Sequence, residues 1–260
     1  MDVDTETAAD LVRSRIRVEI LAALRAGAAT KYELRERLDC SRTTVDRNLE
    51  HLQEAGWIEQ APGGYELTTC GEIVVEQATA YLETVTAAKR LQPILRWLPR
   101  DELDIDVRHF ADAELTIADE VTPMAVVDRH VQRITETTDM RTLLPLTSTQ
   151  PIEMQYRVMQ QREVRAEHLV TPAVAEVYRA DEQFSETLQE MLESDGFEIY
   201  VTEEPITYYL GILDDVVQIG VDEDGDPRGL LETDDEAVYE WATGKIDRYQ
   251  SSAVPFAAWE

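Results

Sequence analysis

Seven polar residues between positions 41 and 51 could form hydrogen bonds with DNA. An arginine such as Arg47 can pair with O6 and N7 of guanine, and an asparagine such as Asn48 can pair with adenine. A serine at the start of a helix can cap that helix or donate to a phosphate, and both roles are open to Ser41. The segment therefore predicts a set of DNA-contacting residues: Ser41, Arg42, Thr43, Thr44, Arg47, Asn48 and His51.

A helix over this segment would separate its apolar and polar residues. At about 100° per residue, the two groups fall on opposite sides: Val45, Leu49 and Leu52 against Thr43 and Arg47. The outward side near the start of such a helix is where helix-turn-helix proteins meet base edges. Asp46 could accept from a cytosine amino group or form an ion pair with Arg42, and the four-residue spacing favours the ion pair.

Residues before and after this helix are candidates for contacts to the DNA backbone. Cationic and hydroxyl side chains and backbone amides commonly position a protein on phosphates without reading sequence. Residues of these kinds occur in the preceding segment and in the Gly-rich turn APGG: Lys31, Tyr32, Arg35, Gly63 and Gly64.

The surrounding pattern predicts the elements that must hold these residues. A helix is expected over Asp10–Ala26 with Gly27 as its stop, and Thr30 with Glu33 makes a capping box for a second helix. A turn at Asp39 and Cys40 leads to the third helix, which ends at Gly56. Two short strands follow around the glycines, Trp57–Gln60 and Tyr65–Thr68. This order is that of a winged helix-turn-helix.

A longer helix should follow the wing. Thr69 and Glu72 form a second capping box, and the helix is expected to run to about Leu91 before Pro93 interrupts it. Its apolar residues follow a 4-3-4-3 spacing that could pair with a second copy of the chain: Val74, Ala78, Tyr81, Val85 and Ala88. The alternative is that this stripe packs on the protein's own domains. Because helix-turn-helix proteins commonly work as dimers, we expect a homodimer.

Beyond Arg100, short strands alternate with helices, which predicts an α/β layer with a largely parallel sheet. VTPMAVV at Val121 and VTPAVAEV at Val170 each place Thr and Pro where a helix should begin. Strands are expected at 114–118, 141–146, 164–170, 197–202, 208–213, 216–221 and 229–232. Helices are expected at 123–137, 151–161 and 172–193, with a closing helix capped by Thr233 and Glu236.

Ligands of open α/β sheets bind beyond the carboxyl ends of the strands, and helix N-termini there favour anions. The residues that should lie at this edge are mostly hydroxyl-bearing: Asp119, Thr122, Thr147, Ser148, Thr149 and Thr171. The alternative for each threonine is a helix cap. We expect a small-molecule effector to bind here.

The charge is concentrated in the second half of the chain. The net charge is −29, with 53 acidic and 24 basic residues; residues 1–60 hold 12 acidic and 9 basic, and residues 101–260 hold 37 and 11. The composition resembles that of haloarchaeal proteins. Two cysteines, an acidic N-terminus and the lack of a long apolar segment favour a cytoplasmic protein outside the membrane. Cys40 lies at the edge of the predicted DNA-reading helix and could act as a thiol switch, but a role as small apolar filler is favoured.

Motifs for catalysis or metal binding are lacking. The sequence contains no GxxxxGK[ST], GxGxxG, GxSxG or HExxH. The four histidines, His51, His109, His130 and His168, are scattered, which favours surface or packing roles over metal binding. DEDGD at 222–226 lacks the spacing of a calcium loop and fits a turn between strands. We therefore expect no metal, no cofactor and no enzymatic activity.

Two stretches resemble known families. SRTTVDRNLEHLQEAGWIE followed by GGYELTTCGE resembles the winged-helix core of archaeal transcription regulators of the ArsR/MarR type. YYLGILDD and the following VVQIGVDEDGDPRGLLETDDEAVYEWATGKIDRYQSSA are similar to the middle domain of the methanogenesis regulatory protein family and its haloarchaeal relatives. These resemblances supply no catalytic residues.

Together, the patterns and resemblances predict a mixed α and β protein of three parts. These are a winged helix-turn-helix at 1–70, a linker and dimerisation helix at 71–98, and an acidic α/β effector-sensing domain at 99–260. The expected function is a dimeric transcriptional regulator that reads an inverted repeat in double-stranded DNA. The alternatives are an enzyme or a protein-interaction module that carries a regulatory winged helix.

Overall fold

The computed structural model describes residues 5–180 and 182–259, and for residues 182–186 it describes the backbone alone. The chain divides into two compact units, Met1–Thr86 and Ala87–Glu260. The division falls inside one long helix, Thr69–Leu95, so the segment predicted as a separate linker at 71–98 contributes to both units.

The first unit has the predicted order of helices followed by a hairpin. Its elements before the long helix are α1 Thr5–Val12, α2 Arg15–Leu24, α3 Lys31–Leu38, α4 Arg42–Glu54, β1 Ile58–Ala61 and β2 Gly64–Leu67. The two strands pair antiparallel. The winged helix-turn-helix is therefore confirmed.

Local signals explain most of the helix ends in this unit. Thr30 and Glu33 form the predicted capping box, Asp39 adopts the left-handed conformation in the turn, and Gly56 follows α4 with φ of 72°. The single helix expected over Asp10–Ala26 is wrong. The chain breaks at Ser14, whose extended backbone and serine side chain suit the position before a new helix.

The base of the wing is fixed by a close backbone approach. Ala29 and Tyr65 exchange two backbone hydrogen bonds of 2.9 Å. Gly64 lies beside them with φ of 124°, and a Cβ there would lie 2.2 Å from the carbonyl oxygen of Ala29. Gly64 is therefore required by the fold itself, whether or not it contacts a phosphate.

The long helix, α5 (Thr69–Leu95), begins and ends differently from the prediction. Its cap is Thr68, whose hydroxyl accepts a 3.1 Å hydrogen bond from the amide of Gly71, so the capping box at Thr69 is wrong. Pro93 lies inside the helix instead of ending it. The last turn is held by tertiary packing, because Leu91 and Ile94 are buried in the core of the second unit.

The second unit contains an eight-stranded mixed sheet in the order β10-β6-β5-β4-β7-β8-β9-β3. The strands are β3 Glu114–Ile117, β4 Asp139–Leu144, β5 Arg165–Val170, β6 Phe197–Val201, β7 Tyr209–Leu213, β8 Val216–Glu223, β9 Asp226–Thr233 and β10 Val254–Pro255. Only β4–β5 and β5–β6 pair parallel. The mixed α and β class is confirmed, whereas the expectation of a largely parallel sheet is corrected: β7, β8 and β9 follow each other through short hairpin turns, which force antiparallel pairing.

Five further helices cover the sheet: α6 Ala125–Glu136, α7 Thr149–Met159, α8 Pro172–Ala180, α9 Glu182–Leu192 and α10 Glu236–Gln250. The helix predicted at 172–193 is two helices, and residue 181 between them lies outside the described residues. Thr171 caps α8 as predicted, through a 3.3 Å bond from the amide of Val174. Thr122 was expected to cap α6 in the same way. This prediction is wrong, because α6 begins three residues later. Asp235, and not Thr233, caps α10.

Side chains of the central strands alternate between two apolar layers. On one side, Leu143 and Leu169 pack with α10 and the end of α5. On the other side, Met140, Ala166 and Val170 pack beneath α6 to α9. The second layer is incompletely filled, and its open space forms the cavity described below. No helix within the described part of the chain has the length and apolarity needed to cross a membrane.

Candidate functional site

The outward face of α4 carries the residues predicted to read bases. Val45, Leu49 and Leu52 are at most 1% exposed, which confirms the inward side of the helix. The opposite face presents exposed polar side chains, with Thr44 half-buried at its edge: Arg42, Thr43, Arg47 and His51. The geometry thus leaves Thr43 and Arg47 free of the core, although their contact with DNA stays a prediction.

Ser41 uses its side chain to fix the start of α4. Its hydroxyl oxygen accepts a 3.2 Å hydrogen bond from the amide of Thr44 and lies 2.9 Å from the Thr44 hydroxyl. Of the two roles open to Ser41, capping is therefore the one present in the structure. The cap holds the first turn, from which Thr43 projects.

Asn48 does not belong to the outward face. Its side chain is 3% exposed, and its Nδ2 donates to the carbonyl oxygen of Thr44 at 2.8 Å. Its Oδ1 accepts from Nε of Arg17 at 3.2 Å and from the hydroxyl of Ser14 at 3.3 Å. The predicted pairing of Asn48 with adenine is therefore corrected: all of its polar atoms are engaged within the fold.

Asp46 forms the predicted ion pair with Arg42, at 3.7 Å, and a shorter one with Lys31, at 2.6 Å. The hydrogen bond between the Lys31 ammonium and Asp46 raises the pKa of Lys31 and lowers the pKa of Asp46. Lys31 also lies 5.8 Å from the ring centroid of Tyr65 in the wing. Lys31 thus links α3, α4 and β2, and a contact to phosphate would compete with this pairing.

The remaining predicted backbone contacts lie on exposed surface. Tyr32 is 64% exposed, and the guanidinium of Arg35 stacks 5.2 Å from its ring centroid while pairing with Glu36 at 2.8 Å. Gly63 is exposed at the turn of the wing, and Gly64 lies half-buried beside it. These positions are compatible with phosphate contacts, which remain predictions.

A cavity of about 480 Å³ lies in the second unit between the sheet and α6 and α7. Its floor is formed by side chains that alternate inward along the strands, including Thr142 on β4, His168 on β5, Tyr209 on β7 and Leu230 on β9. Helices α6 and α7 contribute His130 and Gln155, among others.

The structure brings together half of the predicted ligand-binding residues. Thr147, Ser148 and Thr149 line the cavity at the start of α7. The other three are not part of its described lining and have local roles. Asp119 accepts hydrogen bonds from the amides of Val121 and Thr122 and from the Thr122 hydroxyl, and Thr171 caps α8. Of the predicted set, the residues of one loop lie where a ligand in this cavity could meet them, Thr147, Ser148 and Thr149, and their contact with a ligand stays a prediction.

His168 is held on both ring nitrogens inside the cavity floor. Its Nδ1 lies 2.6 Å from the hydroxyl of Thr142, its neighbour across the parallel pair β4–β5, and its Nε2 lies 3.0 Å from the side-chain amide of Gln155. Burial lowers the pKa of His168 to about 3. The imidazole is therefore neutral, and it joins α7 to the sheet.

His130 belongs to a second hydrogen-bonded chain. Gln218 Nε2 donates to the buried Glu232 at 3.0 Å, which turns Gln218 Oε1 toward Nδ1 of His130, at 2.8 Å. Glu232 is paired with Arg129 and Arg133. Because Oε1 can only accept, Nδ1 of His130 carries the proton. Burial lowers the pKa of His130, so the ring is neutral with Nε2 as its acceptor.

Two glycines leave room for Tyr209 on the cavity floor. A Cβ at Gly211 would lie 2.2 Å from the Tyr209 hydroxyl, and a Cβ at Gly220 would lie 3.1 Å from the Tyr209 side chain. The Tyr209 hydroxyl donates to Gln218 Oε1 at 3.3 Å, and the ring meets His130 edge-on at 5.0 Å. Tyr209 thus closes the chain of polar groups on one side of the cavity.

The sequence did not reveal the two cavity histidines. His51 and His109 are exposed, as a surface role predicts, but His130 and His168 line the cavity. The signal for His168 was present: it alternates with Ala166 and Val170, so it must share their apolar layer. His130 lies on α6 and meets Gln218 of β8 because that helix packs over the sheet, a tertiary contact that no local pattern indicates.

Other candidate chemistry is limited within the described residues. They contain no group of three or more His, Cys, Asp or Glu placed to hold a metal ion. Asp224 and Gly225 have positive φ in the predicted turn between β8 and β9. Cys40 is half-buried, and burial raises the pKa of its thiol, which opposes reaction as a thiolate.

The chain combines a winged helix-turn-helix with an α/β unit that contains an internal cavity. Residues 123–252, half of the chain, match the family described as the middle domain of the methanogenesis regulatory protein FilR1, and the protein belongs to this family. Residues 5–90 match the family described as the HVO_A0261 N-terminal domain.

Several solved structures are similar in outline. The archaeal chromatin protein TrmBL2 is 14% identical with a TM-score of 0.42, covering 93% of this chain and 94% of that chain. NucT from Helicobacter pylori is 14% identical with a TM-score of 0.42, covering 55% and 98%. The phospholipase D family member Nuc from Salmonella typhimurium is 10% identical with a TM-score of 0.42, covering 55% and 97%. TM-scores below 0.5 support no conclusion about function. No curated protein matches the chain.

Proposed function

We propose that the protein is a DNA-binding transcriptional regulator whose first unit reads double-stranded DNA through α4. The observation that carries this proposal is the face of α4, where Thr43 and Arg47 point away from a closed core and have the chemistry to meet base edges. Membership in a family of regulatory proteins supports the same function.

We propose further that two copies associate through α5. Val75 and Ala87 are buried in the single chain, but the predicted seam is exposed in the middle of the helix, at Tyr81 (60%) and Val85 (45%). A row of exposed apolar side chains on a 27-residue helix could be covered by α5 of a second copy, in either a parallel or an antiparallel pair. A dimer would present two copies of α4 to the two halves of an inverted repeat.

The cavity of the second unit is proposed to receive a small effector, which shifts the population of DNA-binding states. Turnover of the ligand is not part of the proposal. Thr142 and His168 have the spacing of a nucleophile and a base, but Thr142 is 2% exposed. A histidine whose pKa is about 3 is also a weak base near neutral pH.

The net charge of −29 does not oppose DNA binding, because the acidic excess lies in residues 101–260. The acidic composition resembles that of proteins adapted to concentrated salt. In such salt, counterion release from DNA contributes little to binding, and the charges of acidic residues are screened. Contacts to bases then carry most of the affinity. The measured affinity should therefore depend only weakly on salt concentration, and a steep loss with added KCl would contradict this part of the proposal.

Fluorescence anisotropy in molar KCl with labelled duplex from the region upstream of the protein's own gene tests DNA binding. Arg47→Ala should weaken binding by about 1–3 kcal/mol while the thermal midpoint stays unchanged. Arg25→Ala removes the same charge from an exposed position at the end of α2 and is the matched control. Equal affinity and sequence preference for wild type and Arg47→Ala would overturn the assigned role of α4.

A further inference from the structure

The cavity wall is apolar over most of its area. Aliphatic and methionine side chains from the sheet and from α6 face it, among them Val126, Ile134, Met140 and Leu230. Its volume of about 480 Å³ lies within the range of small-molecule sites, about 300–1,000 Å³. An apolar occupant of this size would gain free energy by leaving water.

The cavity provides no counter-charge for an anionic ligand. Asp222 is the one formally charged residue in the described lining, and its carboxylate accepts a hydrogen bond from the amide of Gly225 in the turn between β8 and β9. Arg129 and Arg133, which lie on α6 with His130, are paired with the buried Glu232 and are not part of that lining. Both cavity histidines are neutral because burial lowers their pKa values. A carboxylate or phosphate would lose its hydration without gaining a cationic partner.

Of the two histidines in the cavity, one keeps a ring nitrogen as an acceptor for a ligand. His168 uses both ring nitrogens within the protein, toward Thr142 and Gln155. His130 uses Nδ1 to donate to Gln218, which leaves Nε2 with no hydrogen-bond partner among the described residues. Glu232 fixes this arrangement, because it accepts from Gln218 and so determines which end of the amide faces His130.

From this arrangement we infer that the cavity binds an uncharged, mainly apolar small molecule that carries one hydrogen-bond donor, which donates to Nε2 of His130. The inference rests on the proposed sensing role and specifies the chemical class that the sensor accepts. Its site is the apolar cavity described above, which Thr147, Ser148 and Thr149 line at the start of α7.

Two fluorescent probes of almost the same shape test the class of ligand. N-phenyl-1-naphthylamine is uncharged, apolar and carries one N–H donor, and 8-anilinonaphthalene-1-sulfonate differs from it by an added sulfonate. The full chain, without DNA and in molar KCl, should bind the amine at one site per chain and bind the sulfonate at least tenfold more weakly. Equal affinity for the two probes, or no saturable binding of the amine, would overturn the inference.

Two tryptophan substitutions test the location. Val127 lines the cavity on α6, whereas Val121 is 87% exposed and is not part of the described lining. Val127→Trp should weaken binding of the amine at least tenfold by occupying the cavity, and Val121→Trp should leave it unchanged. Ser148→Trp, at the start of α7, serves if Val127→Trp fails to fold. If a folded Val127→Trp or Ser148→Trp variant bound the amine with wild-type affinity, the probe would bind elsewhere and the inference would be overturned.

The role of His130 has its own test. His130→Phe keeps an aromatic ring beside Tyr209 but removes the Nε2 acceptor. It should weaken binding of N-phenyl-1-naphthylamine by about threefold to tenfold and leave unchanged the binding of 1-benzylnaphthalene, in which a methylene replaces the N–H. Equal losses for both probes would show that His130 only shapes the cavity and would overturn the assigned hydrogen bond.

These measurements use no DNA, so they separate the two proposals. Loss of probe binding with intact operator binding would refute the ligand class alone. Intact probe binding in a protein that does not bind DNA would refute the regulator and leave the ligand site standing.

Discussion

Asn48 accepts a hydrogen bond from Arg17 across 3.2 Å, and this contact joins α4, the helix proposed to read DNA, to α2. Asn48 lies three positions after Val45, at about 60° from the centre of the buried side of the helix. The same residue holds Ser14 and the carbonyl oxygen of Thr44. Asn48 therefore helps to hold α4 in place, and under the proposed function it supports the orientation in which Arg47 would meet DNA.

Asn48→Ala should lower the free energy of unfolding of the first unit by about 1–3 kcal/mol, because Arg17 and the Thr44 carbonyl lose a buried partner. Urea denaturation followed by circular dichroism measures this change. Gln53→Ala, on the exposed side of the same helix, is the matched control and should be neutral within about 0.5 kcal/mol. An Asn48→Ala variant as stable as wild type but altered in base preference would return Asn48 to the reading face.

The dimer seam can be tested by placing a charge in it. Val85→Glu puts a carboxylate in the middle of the exposed row on α5 and should shift the protein from dimer to monomer in sedimentation or light scattering. Operator affinity should fall at least tenfold, because the two half-sites are no longer bound together. Thr86→Glu adds the same charge about 120° around the helix from that row and is the control. A Val85→Glu variant that stays dimeric would mean that the seam packs elsewhere.

Burial of neutral His168 makes stability depend on pH. Its pKa in the folded state, about 3, lies below the unfolded value of 6.5, so only the unfolded chain takes up this proton between the two values. The associated stability is complete above pH 6.5 and declines as the pH falls, by about 1.5 kcal/mol between pH 6.5 and about 5. His168→Gln should remove that part of the slope in denaturation experiments.

His51→Gln, a change on the exposed surface of α4, is the matched control and should retain the wild-type slope. Identical pH profiles for His168→Gln and wild type would show that His168 gains its proton in the folded state as well. His130→Gln should change the profile in the same direction as His168→Gln, because burial also lowers the pKa of His130.

The sequence predicted those features that depend on neighbouring residues. The apolar side of α4, the cap at Thr30 and the turn at Asp224 each follow from a few adjacent positions, and the structure has all three. The alternation of strands and helices also predicted the parallel pairs of β4, β5 and β6.

Features that depend on distant pairing could not be predicted. β4 pairs with β7 antiparallel, Met140 opposite Leu213, because the buried faces of the two strands match across a long stretch of chain. This pairing brings Tyr209 and Gln218 to the same layer as His168. The rule that helix N-termini bind anions selected Asp119, Thr122 and Thr171, but these side chains bond locally instead. The Asp119 carboxylate accepts from the amide and the hydroxyl of Thr122, and the Thr171 hydroxyl accepts from the amide of Val174.

Gly229 offers a test of how the cavity communicates with α5. On β9, Leu230 faces the cavity, while its neighbour Gly229 faces the other layer, where Ile94 of α5 is buried. A Cβ at Gly229 would lie 2.9 Å from Cγ1 of Ile94. Gly229→Ala must therefore displace the Ile94 side chain, which weakens the contact between α5 and β9, and it should lower the free energy of unfolding by about 1–3 kcal/mol.

The same displacement should reduce the effect of N-phenyl-1-naphthylamine on operator affinity at least threefold, while the affinity for the probe itself is retained, since the cavity side of β9 is unchanged. Anisotropy titrations with and without the probe measure this coupling. Gly244→Ala on α10 is the matched control, because a Cβ there meets no atom within 4 Å. It should leave the coupling intact and stabilise the helix slightly. Full coupling in a folded Gly229→Ala variant would exclude β9 and Ile94 as the route, since the contact between them is the one that the added methyl group disrupts.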